Sequence, residues 1–220
     1  MSYAYEALES APKLDTKTRI LNAAEKLFGQ NGFDGTSLRD ITTEAGVNLA
    51  AVNYHFQSKE SLIDALIDRR LGPINQKRME MLEAAGPSPT LEQVVRAFLA
   101  PILHSDSATA VPLIGRVLSN PTQFLDRVYK RRLAATVSRF SDELSRILPE
   151  LSPEDRFWRL HFMAGTMTNT LALSSVLPQM MGSDEPLDRD ALIERMVAFL
   201  SAGFRAPARP IEHRNPSGSN

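Results

Sequence analysis

Residues 46–62 read GVNLAAVNYHFQSKESL, a run dense in hydrogen-bonding side chains on a helix too short to be stable alone. With Val52 pointing to a core, Phe56 lies beside it and Leu49 on its near flank. Ala50 and Tyr54 then face away, with Ala51 and Asn53 beside them. A face this small, amidic and aromatic suits entry into the major groove of a duplex. Small side chains let a backbone approach thymine methyls, and an asparagine amide can pair with adenine. Arg39, on the preceding segment, has the fork that reaches guanine N7 and O6. Lys59 follows the cap residue Ser58, where a cation at the positive end of a helix is unfavourable by about 0.3–1 kcal/mol. A phosphate docked there would reverse that sign. Tyr54, His55, Thr36 and Ser37 could donate to neighbouring phosphates, and Asn48 opens the helix. Two plainer readings stand beside this one. The pair of helices is also an αα-corner of a helical bundle, and Lys59 is also a solvated lysine compensated by Glu60.

The elements that must hold these residues read as helices punctuated by turns, with no strand alternation. Asp15 caps a helix with the apolar stripe Ile20, Leu21, Ala24, Leu27 and Phe28, which ends at Asn31-Gly32. Ser37 and Asp40 form a capping box for a second helix, with Leu38, Ile41 and Ala45 inward and Gly46 as its stop. Asn48 caps a third that closes near Phe56 and Gln57. Ser58 caps a fourth, carrying Leu62, Ile63, Leu66 and Ile67 inward to a break at Leu71-Gly72-Pro73. Further helices are expected over 74–85, 90–104, 110–118, 121–148, 153–178 and 188–203. The expected organisation is an N-terminal extension (1–14), a helix-turn-helix domain (15–72), a larger helical domain (73–205) and a disordered tail (206–220), about nine helices in an all-α fold.

Composition narrows the function classes. The chain has 220 residues, 43% hydrophobic and 23% charged, with a net charge of -1 and no cysteine. Disulfides, thiolate metal sites and cysteine nucleophiles are therefore excluded. From Asp34 to Lys59 two cations (Arg39, Lys59) face three anions (Asp34, Asp40, Glu44), so any nucleic-acid contact rests on geometry rather than bulk charge. No apolar run is long enough to span a membrane. The acidic start MSYAYEALESAPKLD carries no export signal, so cytoplasm is the default compartment. His55, His104, His161 and His213 show no metal-binding spacing, and no nucleophile elbow or phosphate-cradling loop is present. Neither enzyme activity nor a cofactor or metal is expected.

The segment Thr18 to Leu71 resembles the DNA-binding domain of TetR-family transcriptional regulators. The likeness is carried by AAEKLFGQNGFDGTS, ITTEAGV and NYHFQSKESL. Two positions depart from the pattern, since many members have Tyr at Asn53 and Gly or Pro at Ala50. The resemblance implies a homodimer on a palindromic operator in double-stranded DNA, usually repressing, with a small-molecule inducer held in the C-terminal domain. The wording GVNLAAVNYHF, with FWRLHFMAG at Phe157–Gly165, is further similar to fatty-acid-responsive PsrA-type regulators. That brings a fatty acid or acyl-CoA-like effector into view without fixing its identity. A scaffold that binds DNA and recruits a protein without any inducer is the rival reading.

In the C-terminal domain, the small and hydroxylated run Ala164–Thr170 would permit close helix packing. Together with Leu192, Met196, Val197, Phe199 and Leu200 it is the expected dimer surface, intramolecular packing being the alternative. The expected effector pocket comprises Phe98, Ile102, Leu113, Arg116, Phe124, Trp158, His161, Phe162, Met163, Met167 and Asn169, with Leu118 nearby. Met and Phe adapt to a hydrophobic ligand. Arg116, within LIGRVL, needs a partner, which a ligand anion, an internal acid or an exposed rim could supply. Arg127–Arg132 reads as the wet face of a long helix.

Overall fold

The computed structural model describes residues 14–105 and 129–208. Among these are nine α-helices and no strand, the all-α fold expected. They are α1 (Thr16–Asn31), α2 (Leu38–Ala45), α3 (Leu49–Phe56), α4 (Lys59–Ala84), α5 (Leu91–Leu103), α6 (Ala134–Ile147), α7 (Pro153–Leu173), α8 (Leu177–Met180) and α9 (Arg189–Arg205). A π-helical turn, Tyr129–Leu133, leads into α6. The helix expected at 110–118 and the start of the one at 121–148 lie outside the described residues. So do Leu113, Arg116, Leu118 and Phe124, the extension up to residue 13, and the tail from residue 209.

The chain divides into two compact units. The first holds described residues 14–73 and 129–132, and the second holds 74–105 and 133–208. In the first, Ile20, Ala24 and Phe28 of α1 are buried, as are Ile41 of α2, Val52 and Phe56 of α3, and Leu62 and Leu66 of α4. Large apolar side chains each contribute about 1.5–3 kcal/mol on leaving water, which is how helices of eight residues persist here. Glu25, 4% exposed, receives Arg70 in a two-pronged pair, Nε to Oε1 and Nη2 to Oε2, both at 2.5 Å. This bond ties α1 to α4.

The break expected at Leu71-Gly72-Pro73 does not occur: α4 runs unbroken from Lys59 to Ala84 with Pro73 inside it. Proline removes one hydrogen bond to the residue four earlier. Gly72 and Pro73 face solvent, where water can serve the freed carbonyl, while Leu71, Ile74 and Leu82 are buried and hold the helix together.

In the second unit α5 is almost wholly buried, and α9 packs along it. Ion pairs cross between them, Arg96 to Glu194 at 2.5 and 2.6 Å and Arg205 to Glu92 at 2.5 Å, and a hydrogen bond joins His104 and Asp190 at 2.9 Å. Thr90 and Gln93 form a capping box at the start of α5. Ser152 caps α7, which stops at Leu173 rather than 178, and Asp188 caps α9.

Candidate nucleic-acid interface

Two helices of eight residues meet at Gly46, whose φ of 61° and ψ of 42° are left-handed. A β-carbon at that position would stand 3.0 Å from Arg19 Nη2. That guanidinium comes from α1 and donates to the Ala45 and Gly46 carbonyls at 2.6 and 2.8 Å, satisfying the C-terminal end of α2. The left-handed backbone is what favours glycine here, and a β-carbon would in addition press on the Arg19 guanidinium. At the other end of α2, Asp40 N donates to Ser37 Oγ at 3.2 Å while Ser37 N donates to Asp40 Oδ2 at 2.8 Å. The Ser37 hydroxyl and amide together hold the Asp40 carboxyl below its usual range.

α3 follows immediately. Asn48 caps it by accepting from Ala51 N at 2.8 Å. Val52 and Phe56 are buried, at 1% and 4% exposure, so the inward phase is the one expected. Ala50, Asn53 and Tyr54 are exposed, Tyr54 at 84%, with Leu49 at 43%, and Ala51 and His55 are half-buried. Tyr54 and His55 stand edge to face with ring centres 5.1 Å apart. Arg39 is exposed and makes no side-chain hydrogen bond among the described residues. Asn53 is likewise uncommitted. A solvent-facing amide and small residues on α3, with an unengaged guanidinium on α2, are the side-chain types that major-groove reading uses.

Three expected phosphate contacts sit differently. Thr36 is 1% exposed, and its hydroxyl donates inward to the Gly32 carbonyl at 2.9 Å. It is a structural strut whose hydroxyl is turned away from solvent, contrary to the expected phosphate contact. Lys59 is half-buried and donates to the Phe33 carbonyl at 2.5 Å, so its place at a helix start already has an internal reason. The Ser37 hydroxyl is likewise engaged, donating to Asp40 Oδ2 at 2.7 Å.

Lys17 was missed by sequence reasoning. It lines an open cleft with His55, Phe56, Gln57, Ser61 and Ala65. Its signal was the one used for Lys59, a cation in the first turn of a helix, here two residues after the Asp15 cap. Asp15 lies below its usual carboxylate range, chiefly through the Thr18 backbone amide, with a small contribution from His55.

The residues expected to line one pocket in the second unit separate onto opposite faces. Phe98, Ile102, Met163 and Met167 are buried, and Phe98 meets Phe140 edge to face at 5.2 Å. Trp158, His161, Phe162 and Asn169 are exposed on the outer side of α7, Trp158 at 44% and Phe162 at 59%, so they do not share a cavity with the first group. The period explains it: Leu160, Met163, Met167 and Leu171 mark the buried stripe, and the other four fall roughly opposite. For the expected dimer surface, Met196, Val197 and Leu200 are buried within the unit, whereas Phe199 is 72% exposed. Thr166 and Thr168 donate back to the Phe162 and Ala164 carbonyls of their own helix.

Comparison with known proteins follows this division. Residues 20–66 match the family described as bacterial regulatory proteins, tetR family, and residues 92–203 match the tetracyclin repressor-like C-terminal domain. The probable HTH-type transcriptional regulator YttP of Bacillus subtilis is 44% identical over 55 residues, 25% of this chain and 27% of that one. The HTH-type transcriptional repressor KstR2 of Rhodococcus jostii is 32% identical over 104 residues, 47% and 51% of the two chains. The chain thus spans about a quarter to a half of the length of these curated relatives. Among solved structures, the regulator FadR from Bacillus subtilis in complex with stearoyl-CoA superposes with a TM-score of 0.66 at 17% identity, over 84% of this chain and 98% of that one. A tetR-family structure from a Shewanella species gives a TM-score of 0.62 at 20% identity, covering 86% and 98%. At these identities the likeness concerns the fold.

Proposed function

The chain belongs to the TetR family of bacterial regulatory proteins, and on that premise we propose that it is a homodimeric repressor released from a palindromic operator by a hydrophobic small molecule. The observation that carries the DNA half is the outward face of α3, with Ala50, Asn53 and Tyr54 in solvent, together with an exposed and uncommitted Arg39 on α2. Asn53 and Arg39 read base edges. Lys59, Tyr54, His55 and Lys17 grip phosphates, with Ser37, Asn48, Leu49 and Ala51 in the same contact surface. In a dimer the two α3 helices engage successive major grooves about 34–36 Å apart.

The dimer reading is supported by the aromatic stripe of α7 and by Phe199 of α9, apolar surface that a monomer would leave in water. The effector reading is supported by the adaptable Met163, Met167 and Phe98 in the buried layer, and by a structural neighbour bound to stearoyl-CoA. An effector acts here only through its differential affinity for the released form of the dimer.

Selection of binding sites from a randomised duplex pool tests the reading. An inverted repeat should emerge, and Arg39→Ala and Asn53→Ala should relax the consensus at particular positions. Recovery of no consensus, or of an asymmetric one from a monomeric protein, would overturn it.

A further inference from the structure

The interior of the second unit contains a charge without a counter-charge among the described residues. Arg78 of α4 is 2% exposed. Its Nε donates to the Phe98 carbonyl at 2.8 Å and its Nη1 to Asn75 Oδ1 at 3.1 Å. Its Nη2 reaches only Met167 Sδ at 3.6 Å, and the guanidinium carbon lies 4.2 Å from the Phe98 ring centre. A guanidinium offers five N–H donors, so three contacts leave two without an acceptor among the described residues. One of the three acceptors is a thioether, which accepts weakly. No Asp or Glu pairs with Arg78 among the described residues, and burial pulls its pKa down to about 10, leaving it charged at neutral pH. Buried charge is normally paired because an isolated one is costly to desolvate.

We propose that Arg78 anchors the headgroup of an anionic amphipathic effector, a carboxylate or phosphate on an apolar chain, which displaces Met167 from Nη2. The inference deepens the ligand-controlled reading above and rests on it for its biological meaning. Arginine's planar fork matches such oxyanions in two-pronged fashion, and a low-dielectric surround strengthens the bond. Met167 is the partner that yields: its unbranched side chain swings aside at little cost. Buried apolar residues neighbour both acceptors along their helices. Ile102 lies one turn beyond Phe98 on α5, and Met163 one turn before Met167 on α7, both buried.

Calorimetric titration of the full chain with dodecanoate, dodecyl phosphate and 1-dodecanol tests this. Wild type should bind at least one of the anions about tenfold or more tightly than the alcohol, a difference of about 1.4 kcal/mol. The ratio between the two anions separates a carboxylate from a phosphate preference. Arg78→Met should erase the preference for an anion while retaining helical circular dichroism and a cooperative melt. Should that variant fail to melt cooperatively, Arg78→Lys decides: a reduced preference supports the anchor, and an undiminished one overturns it. Equal binding of alcohol and both anions by wild type also overturns it, as does an anion preference that survives in folded Arg78→Met. The regulator reading fails separately: dodecanoate that binds through Arg78 yet leaves DNA retention unchanged supports the anchor and removes ligand control.

Discussion

Lys59, the first residue of α4, donates its ammonium to the Phe33 carbonyl at 2.5 Å, joining the start of that helix to the α1–α2 connection 26 residues earlier. A cation at the positive end of a helix is thereby held by an internal acceptor, and a charge-assisted bond offsets the dipole penalty. An ammonium has three N–H donors, so the same group can hold Phe33 and still meet a phosphate. The two roles have different signatures.

Lys59→Ala should lower stability by about 1 kcal/mol in urea denaturation, less than the roughly 1.5–3 kcal/mol of a fully buried charged hydrogen bond, because the side chain is half-buried. It should also weaken binding to operator and random duplex alike and reduce the salt slope by about one. A stability loss with an unchanged salt slope would confine Lys59 to its structural bond.

Phe162 and Phe199 are exposed at 59% and 72% on α7 and α9, and Phe162 stacks with Trp158 at 5.9 Å between ring centres. Placed in a dimer interface, either phenylalanine replaced by aspartate would bury an unpaired charge. Phe162→Asp and Phe199→Asp should therefore convert a dimer into a folded monomer in light scattering, with unchanged helical circular dichroism and lost operator binding. A wild-type protein that scatters as a monomer at micromolar concentration would remove the interface.

The caps were legible because their chemistry is local: Asp15, Ser37, Asn48 and Ser58 each accept an amide three residues on, a bond that four residues of sequence specify. The phase of α3 was legible from Val52 and Phe56 for a similar reason. Pro73 misled because a local breaker was outweighed by distant packing of Leu71, Ile74 and Leu82. The proline did not hide Arg78, which lies one turn from both Ile74 and Leu82 within the helix expected over 74–85; an arginine on an apolar stripe simply reads as a residue that snorkels to solvent, whereas here it is buried. Trp158, His161 and Phe162 were grouped with Met163 by residue type, although the helical period already set them apart. Thr36 gave no signal, since a buried threonine strut and an exposed one read alike.

Acid should unfold the protein through its caps and ties. Asp15 lies low chiefly through the Thr18 amide, Asp40 through the Ser37 hydroxyl, Glu92 through Arg205 and Glu194 through Arg96. Each carboxyl holds its proton less tightly folded than unfolded. Its stabilisation is therefore complete above the unfolded value, near about 4, and is lost as pH falls through the lower folded value. The melting temperature should stay level from neutrality to about pH 5 and drop below it. Asp15→Asn with Asp40→Asn should melt lower at neutral pH yet show a shallower acid slope. An unaltered slope would mean that these two carboxyls do not carry the acid response.

Gln57 joins α3 to α4 with φ 64° and ψ -41°, the sole positive-φ residue other than glycine among those described. The Ser58 amide donates to the Phe56 carbonyl at 2.7 Å, which closes a γ-turn of the positive-φ kind, the rarer and more strained of the two forms. A side chain in that region costs on the order of 1–3 kcal/mol. The strain is maintained because Phe56 is buried on one side while Ser58 caps α4 on the other. Glycine adopts the conformation freely but loses more backbone entropy on folding, about 0.5–1 kcal/mol. Gln57→Gly should accordingly be as stable as wild type or up to about 2.5 kcal/mol more stable, whereas Gln57→Ala, which keeps the β-carbon, should gain nothing. Urea denaturation of the two variants side by side checks this. A glycine variant less stable than the alanine one would show that the turn is relaxed in solution.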